Sequence, residues 1–584
     1  MANAVGMMKL SEPTAHVVGA APFVRALADH IGLIDLLNRL LKWDPARTRI
    51  SPGERIFVMM VDLLLGKTPW YRVADRLQET DVPLLFGVGR QAADYSDDRL
   101  GRALDKLADA NPKEVFTAVA AQAYTREQVH LQRLHWDSTS KSLYGAYPEA
   151  EAADPRTPVA SDASPPDVRQ APPAVPKRGY SKDHRPDLKP LIMSVWVNGD
   201  GAICRGSVDA GNASDKALNR RVLAELAEAF TPEALHDLVY VADSSLVTDD
   251  NLAALREMGL SFISRCPGTY GAVAAAKAAA WAAAAWMPVG TVAERRNAAH
   301  YHAFEQTATI GDVAYRLLVY RSSAWDERKV RTVDREIAGA RGVLTRAAQA
   351  LERQTFECEA DAQAAAAAFQ ARVEHRWFHL SPPVVSERAE RITPRRGRPR
   401  KDAPTRSVWT VTVTVGDVDA ARRQEEWERR GTFVLITNLP PETWDARAVL
   451  QEYKEQTVCE RKFHFVKDPM FVDALFLKTP QRLEALGYVI LMAALFYSLL
   501  ERRLRQSPIP IPSPSRRVLT RPTAHELFRH LRGLQVTRQP DGTRAVSLPE
   551  PFHATFWAFL KALRLPERCF TEPPSLADAT SSTA

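Results

Sequence analysis

LQRLHWDSTSKSLYG (residues 131–145) is the stretch where apolar side chains stop recurring every three or four residues and begin to alternate with polar ones. Alternation at a period of two predicts a half-buried β-strand, with Asp137 near its middle. Further along, PLIMSVWVNGDGAICRGSVDAG (190–211) predicts two strands joined by a turn over 198–201. We therefore expect a three-stranded meander to begin at this point in the chain.

Alternating helices and strands follow the meander. The sequence predicts a helix over 215–230, a buried strand LVYVAD (238–243), a helix over 249–258 and a strand SFISRC (261–266). This order is that of a ribonuclease-H-like α/β core, in which the first and fourth strands are neighbours. The predicted fold class is multidomain α/β: an all-helical N-terminal domain, a ribonuclease-H-like mixed-sheet catalytic core interrupted by a β-rich insertion, and a helical C-terminal region.

The chain of 584 residues exceeds what one hydrophobic core fills, so several domains are expected. We predict a helical domain over 1–128, the first part of the core over 129–266, an insertion over 267–431, the second part of the core over 432–506, and a linker with C-terminal helices over 507–584. Within the core, residues 148–177 are rich in Pro, Ala, Asp and Ser and are predicted to be disordered. Ser51-Pro52-Gly53-Glu54 and Thr523-Ala524-His525-Glu526 predict capping boxes at two helix starts.

Charge and cysteine usage narrow the compartment and the partners. Basic residues number 77 and acidic residues 70, and the net charge of +7 is a mild tilt toward an anionic partner. The five cysteines lie far apart without a Cys-x-x-Cys pair, which disfavours a zinc site and a disulfide framework. The N-terminus lacks the pattern of a secretory signal, and the longest apolar stretch, 487–500, is shorter than the roughly 20 residues that span a bilayer. We expect a cytoplasmic protein with a buried core helix at 487–500.

Three carboxylates occupy specific places in these elements. Asp137 lies in the first core strand, Asp243 directly follows a buried strand, and Glu460 lies on the helix after the insertion. A helix packed across the first and fourth strands would bring the third acid to the other two. Mg²⁺ prefers carboxylate oxygens, and two such ions about 4 Å apart serve in-line phosphoryl displacement. We predict that Asp137, Asp243 and Glu460 are the catalytic residues and hold two Mg²⁺ ions, for which Mn²⁺ can substitute.

The segment YKEQTVCERKFHFVK (453–467) surrounds the third acid. At roughly 100° per residue, its Tyr453, Gln456, Glu460 and Lys467 fall on one narrow helical face. The segment resembles the Tyr-x₂-Arg-x₃-Glu-x₆-Lys signature of bacterial insertion-sequence DDE transposases, the insertion-sequence-four-like superfamily. Gln456 stands where that family has arginine. We predict that Tyr453, Gln456 and Lys467 contact DNA phosphates; the alternative is a solvated polar face.

Other segments extend the resemblance. GYSKDHRPDLK (179–189), DAGNASDK (209–216) and VADSSLVT (241–248) look like the family's blocks around the first two acids. Within the first block, basic side chains either line the DNA path or belong to a solvated loop; they are Lys182, His184, Arg185 and Lys189. Asp209 and Asp215 are rival acids, and Asp215 is expected to cap the helix that follows it.

The predicted insertion contains the basic run PRRGRPRK (394–401), which is similar in composition to an AT-hook. Arg396, Arg398 and Arg400 are predicted to bind DNA in a narrow A·T minor groove, and a flexible basic loop is the alternative. Three tryptophans of the insertion, Trp325, Trp377 and Trp409, either stack on an unpaired base or belong to a core.

The resemblance implies a DNA transposase that cleaves transposon ends by Mg²⁺-dependent hydrolysis and joins the freed 3′-hydroxyl to target DNA, which is cut-and-paste transposition. It also implies double-stranded DNA as the partner, in the form of terminal inverted repeats and target, and a homodimer on DNA without a membrane. A hairpin intermediate is a further implication. The helical N-terminal domain either binds a DNA end or is an ordinary helix bundle. The alternatives are a catalytically inactive or domesticated DNA-binding descendant, and a nuclease of the same fold that cuts without joining. A bacterial cytoplasmic location, on the nucleoid when bound to DNA, is expected.

Overall fold

The structure is a computed structural model that describes residues 12–66, 68–143, 173–179, 187–293, 298–324, 327–372, 377–392, 402–456, 477, 479–513, 515 and 517–574. It divides into two compact units. The first comprises Met1–Ser264 and Glu452–Ala584, and the second comprises Arg265–Gln451. The domain boundaries drawn from the sequence stay predictions.

Helices open the first unit, after one short strand. The elements are β1 (Thr14–Val17), α1 (Ala21–Ile31), α2 (Leu33–Leu40), α3 (Pro52–Leu65), α4 (Val73–Gln78), α5 (Val82–Phe86), α6 (Asp97–Asp109) and α7 (Pro112–Glu127). Ser51 caps α3, because its hydroxyl accepts from the Glu54 N–H at 3.1 Å. The Glu54 carboxylate accepts from Arg90 and Tyr95. The predicted capping box is therefore only half present, since this buried carboxylate is held by a guanidinium and a phenol.

The strands of the first unit form a mixed sheet. Its elements are β2 (Arg133–Leu143), β3 (Lys189–Asn198), β4 (Ile203–Ala210), α8 (Asp215–Ala229), α9 (Pro232–His236), β5 (Val239–Ala242), α10 (Asp249–Glu257) and β6 (Ser261–Arg265). They run in the order β4-β3-β2-β5-β6. The β2, β3 and β4 pairings are antiparallel, whereas β2, β5 and β6 are parallel. The predicted adjacency of the first and fourth core strands is confirmed, and a helical crossover makes that pairing parallel.

The second unit contains helices as well as strands. Its elements are α11 (Gly271–Ala283), β7 (Met287–Thr291), β8 (His300–Ile310), β9 (Val313–Ser322), α12 (Glu327–Glu352), α13 (Glu359–Arg372), β10 (Phe378–Leu380), β11 (Val384–Arg391), β12 (Thr405–Thr412), β13 (Val415–Val418), α14 (Ala420–Gly431) and β14 (Phe433–Thr437). The order β14-β9-β8-β7 is antiparallel, and β11 pairs with β12 and β10 with β13.

The insertion was expected to be β-rich, but it also contains the 26-residue helix α12, so that expectation is corrected. Val333, Ile337 and Leu344 are buried at helical spacing along it, but the charged and alanine residues between them dilute the pattern. Trp377 packs against this helix in a small core, and Trp409 packs in the core that includes α13. Both tryptophans therefore have the core role, and Trp325 lies outside the described residues.

The chain continues with α15 (Ala446–Glu455), α16 (Pro480–Gln506), α17 (Ala524–His530), β15 (Gln535–Arg538), β16 (Arg544–Ser547) and α18 (Glu550–Leu563). Among the described residues, α16 alone is long and apolar enough to cross a membrane, and 94% of its most apolar window is buried inside the protein. The predicted core helix is therefore confirmed. A Cβ at Gly487 would lie 2.7 Å from Val208 Cγ2, so the glycine permits close packing of α16 on β4.

The C-terminal region is not wholly helical, contrary to the prediction. β15 and β16 form a hairpin, and β1 adds to β15 as a third antiparallel strand. The Asp541-Gly542 turn was a signal for this hairpin, with Gly542 at φ 87°. The capping box at Thr523 is confirmed with both of its hydrogen bonds.

The segment predicted to be disordered, 148–177, lies outside the described residues as far as 172. Its last residues lie against the first unit, where Ala174 is buried and its N–H donates to Glu484 Oε2 at 3.3 Å. Burial of an apolar side chain and pairing of a backbone amide give this end of the segment a fixed place, which composition alone did not indicate.

Candidate active site

The parallel pairing of β2 and β5 brings Asp137 and Asp243 together. His135 lies opposite Val241 in this pair, and continuing the register by two residues sets Asp137 opposite Asp243. Both aspartates are half-buried, whereas all four residues of β5 are buried. Two acids from separate parts of the sequence thus lie at one level of the sheet, on neighbouring strands.

The Asp243 carboxylate is held through one of its oxygens. Oδ1 accepts hydrogen bonds from the Ser245 N–H at 3.0 Å and from the Ser245 hydroxyl at 2.5 Å. The Ser264 hydroxyl donates to the Asp243 carbonyl at 2.7 Å. Within the described part of the chain no donor occupies Asp243 Oδ2. The carboxylate is therefore fixed in orientation, with its second oxygen open to a cation.

Helix α8 supports this arrangement from a neighbouring position. Asn219 Nδ2 donates to Ser245 Oγ at 2.9 Å, and the Tyr240 hydroxyl donates to Asn219 Oδ1 at 2.9 Å. Asn219 and Tyr240 are fully buried. Sequence reasoning missed Asn219. Its signal was a polar residue within the buried stripe of α8, between Leu218 and Val222.

The two rival acids have other roles in the structure. Ser214 caps α8 by accepting from the Ala217 N–H at 3.2 Å, so the expectation that Asp215 caps this helix is wrong. Asp215 is the first helical residue, and its Oδ1 accepts from the Ser138 hydroxyl at 2.6 Å. Asp209 is buried and pairs with Arg221 at 2.6 Å.

Helix α15 is anchored to the strand that carries Asp137. Glu452 lies 2.9 Å from His135 Nε2 and 3.0 Å from Arg133, and both Glu452 and His135 are buried. Alternate residues of a strand share a face, so positions 133, 135 and 137 point to the side of the sheet on which α15 packs. Sequence reasoning missed Glu452, and no local pattern distinguishes it from its neighbours.

Gln456 follows α15 directly and lies beside β2. Its Nε2 donates to the Trp136 carbonyl at 3.4 Å, next to Asp137. Tyr453 is half-buried near the end of α15. The predicted residues Glu460, Lys467, Lys182, His184, Arg185, Arg396, Arg398 and Arg400 lie outside the described residues. Lys189 is buried at the start of β3, a place that does not suit a residue lining an open DNA path.

Two of the three predicted metal ligands are thus described. Where the structure describes the chain, no group of three or more His, Cys, Asp or Glu side chains could hold a metal ion. Asp137 and Asp243 supply hard oxygen donors at one level of the sheet, which suits Mg²⁺. Glu460 would have to complete such a site from the segment 457–476.

Comparison with known proteins identifies the family. Residues 14–121 match the model of a domain of unknown function, and residues 162–496, more than half of the chain, match the model described as transposase DDE domain. Asp243 and Glu460 fall inside that second match, and Asp137 precedes it. No curated protein matches. Among solved structures, a piggyBac transposase in a synaptic complex with hairpin DNA is 8% identical, with a TM-score of 0.34 and coverage of 95% of this chain and 84% of that chain. The extent of the DDE-domain match shows that this chain belongs to the DDE-domain transposase family.

Proposed function

We propose that this chain is a cut-and-paste DNA transposase that cleaves transposon ends and transfers the freed 3′-hydroxyl to target DNA. The observation that carries the proposal is the register of β2 and β5, whose continuation by two residues sets Asp137 opposite Asp243, in a chain of a DDE transposase family. The strand order of the first unit supports a ribonuclease-H-like core. The signature around Glu460 supports the insertion-sequence-four-like group.

Asp137, Asp243 and Glu460 are the residues that would hold two Mg²⁺ ions. When bound, such ions activate the attacking hydroxyl and stabilise the leaving 3′-oxygen. Ser245 orients the Asp243 carboxylate through Oδ1, and among the described residues no donor occupies Oδ2, which would be the ligand oxygen. Glu452 fixes the end of α15 on the Asp137 face of the sheet. Glu460 follows that helix in sequence by five residues, and its place as the third ligand is part of the proposal.

The DNA partner of the proposed enzyme is a duplex carrying the terminal inverted repeats of its element, held by a homodimer. Tyr453 lies half-buried on the helix that enters the site and would contact a phosphate beside the cleaved bond. Gln456, where the resembled family has arginine, gives its amide to the Trp136 carbonyl. In this chain we assign it to holding the end of α15 on β2.

The test is cleavage and strand joining on a labelled duplex that carries the repeats flanking the gene, with Mg²⁺ present. Asp137→Asn, Asp243→Asn and Glu460→Gln keep the shape of each side chain and remove the anionic ligand. We expect each variant to bind the duplex as the wild type does and to lose both reactions. Asp250→Asn is the matched control, because Asp250 is an exposed acid on α10; this variant should remain fully active.

Three other outcomes contradict parts of the proposal. Cleavage without joining by the wild type identifies a nuclease. Duplex binding without either reaction identifies a DNA-binding descendant. Retention of activity by Asp137→Asn, with loss in the other two variants, moves the first acid elsewhere, and Asp209, which precedes α8 within the DDE-domain match, would then be the next residue to substitute.

A further inference from the structure

A basic groove crosses the helical part of the first unit. It encloses about 1720 Å³ and is lined by residues of α1 and α2, the end of α7, the end of α16 and the segment that follows α18. Nine of its lining residues are arginines, against five carboxylates. Its walls come from stretches that lie far apart in sequence, from residue 25 to residue 574, so this surface exists only in the folded chain.

Three of the five carboxylates are paired with arginines of the groove. Glu54 accepts two hydrogen bonds from Arg90, at 2.9 and 3.0 Å, and Glu127 accepts two from Arg503, at 2.9 and 2.5 Å. Asp29 pairs with Arg25 at 2.8 Å in the same way. These pairs build the walls of the groove and leave no net charge of their own.

Four other arginines of the groove stay open to solvent. They are Arg39, Arg126, Arg564 and Arg568, all exposed. Across the described ranges, none of their side chains forms a hydrogen bond or an ion pair. Only two carboxylates of the groove, Asp35 and Glu572, stand against them. Four unpaired guanidinium groups in one concave surface produce a local positive field that attracts an anion.

We propose that this groove, termed here the arginine groove, binds the phosphate backbone of duplex DNA away from the cleaved bond. The choice of DNA as occupant rests on the proposed transposase function. The planar guanidinium fork matches phosphate oxygens, and a groove with several such forks follows a backbone better than it encloses a small anion. Base edges are not read by such contacts, so the groove supplies affinity and register rather than sequence choice.

The proposal gives a role to the domain of unknown function and to the C-terminal segment together. Arg39 lies within the 14–121 match. Arg126, Arg564 and Arg568 lie outside both family matches. The C-terminal segment packs beside α1, where Phe570 meets the Phe23 ring edge to face at 4.9 Å, and this contact holds the arginines of both parts on one surface.

The test measures duplex affinity over a series of salt concentrations in Mg²⁺-free buffer, where no reaction interferes. Each phosphate contact contributes about 0.9 to the slope of log affinity against log salt concentration. Replacing all four arginines by glutamine should therefore make the slope shallower, reducing its magnitude by about 3 to 4. Replacing all four by lysine keeps the charges, so most of the slope should remain. The matched control replaces Arg256, Arg521, Arg532 and Arg538 by glutamine, which are equally exposed arginines of the same unit outside the groove.

The outcomes separate this proposal from the proposed function. If the wild type binds no duplex at low salt, both fail together. If the wild type binds, and the groove variant keeps the slope of the control variant, the arginine groove is not a DNA site although transposase function stands. If the glutamine variant of the groove loses binding to a polyglutamate peptide while the salt dependence of its duplex affinity is unchanged, the groove binds an acidic protein segment, and this outcome likewise overturns the proposal. Circular dichroism should be the same for all variants, because every substituted side chain is exposed.

Discussion

Asn219 is expected to act as a positioning residue for Asp243. Its amide links Tyr240 to Ser245, and Ser245 in turn donates to Asp243 Oδ1. Asn219→Ala removes the donor to Ser245 Oγ, the donor to the Asp215 carbonyl and the acceptor of the Tyr240 hydroxyl. The Ser245 hydroxyl then loses the partner that fixes its direction, and the Asp243 carboxylate gains freedom to turn.

The magnitude follows from the kind of contact that is lost. Partners that orient metal ligands typically change metal affinity or activity by about 10- to 100-fold when they are removed. The buried Tyr240 hydroxyl, left without its acceptor, costs a further 1–3 kcal/mol or so in the free energy of unfolding. We therefore expect Asn219→Ala to raise the Mg²⁺ concentration for half-maximal cleavage by about 10-fold or more, with duplex affinity in Mg²⁺-free buffer unchanged.

The assay titrates Mg²⁺ in the cleavage reaction at a temperature well below unfolding. Asn251→Ala is the matched control, because Asn251 is also buried and donates to the Leu246 carbonyl at 3.1 Å, on the next helix. Tyr240→Phe, which removes one bond of the network and leaves Asn219 in place, should have a smaller effect than Asn219→Ala. If Asn219→Ala and Asn251→Ala lose stability alike and show the wild-type Mg²⁺ dependence, Asn219 only stabilises the fold and the reasoning is refuted.

Three further predictions concern stability and reactivity. Arg544→Met leaves the Asp81 carboxylate, whose side chain is 1% exposed, without its cation, so the free energy of unfolding in urea should fall by about 3–5 kcal/mol. Arg538→Met, at the paired position of β15, should change that free energy by less than about 0.5 kcal/mol. Equal losses in the two variants would contradict this expectation. Burial raises the pKa of Glu484 above its ordinary value, so ionising this carboxyl lowers the free energy of unfolding as the pH rises through the folded-state pKa. Over that range Glu484→Gln should become more stable relative to the wild type, and below the ordinary pKa the difference between the two should not depend on pH. A constant difference between pH 4 and 7 would count against this explanation. Burial raises the pKa of three thiols to about 12, those of Cys204, Cys266 and Cys569. The exposed Cys358 thiol should therefore react with a maleimide before them. Peptide mapping that finds one of the three buried thiols labelled first would show the packing to be wrong.

The sequence by itself determined the strands β2 to β6, the helices α8 and α10, and the places of Asp137 and Asp243 relative to them. The alternating pattern around Asp137 and the short buried run before Asp243 are local, because the period of apolar residues depends only on whether the backbone is a strand or a helix. The long apolar run at 487–500 likewise identified the core of α16. The signature around Glu460 needed no structure, although its residues from 457 onward lie outside the described part.

Beyond the adjacency of β2 and β5, only the tertiary structure decided which distant groups meet. The addition of β1 to β15, the pairing of Glu452 with His135 and the link from Asn219 to Asp243 each join residues whose own neighbours in sequence carry no sign of the partner. The helix α12 was not predicted for a related reason. Alanine and charged residues weaken the pattern of its apolar stripe, which is recognisable only when its burial is seen. The arginine groove is the fullest case, because its four open arginines come from three separate segments. Side-chain pairing and burial depend on packing between segments, which local sequence patterns do not encode.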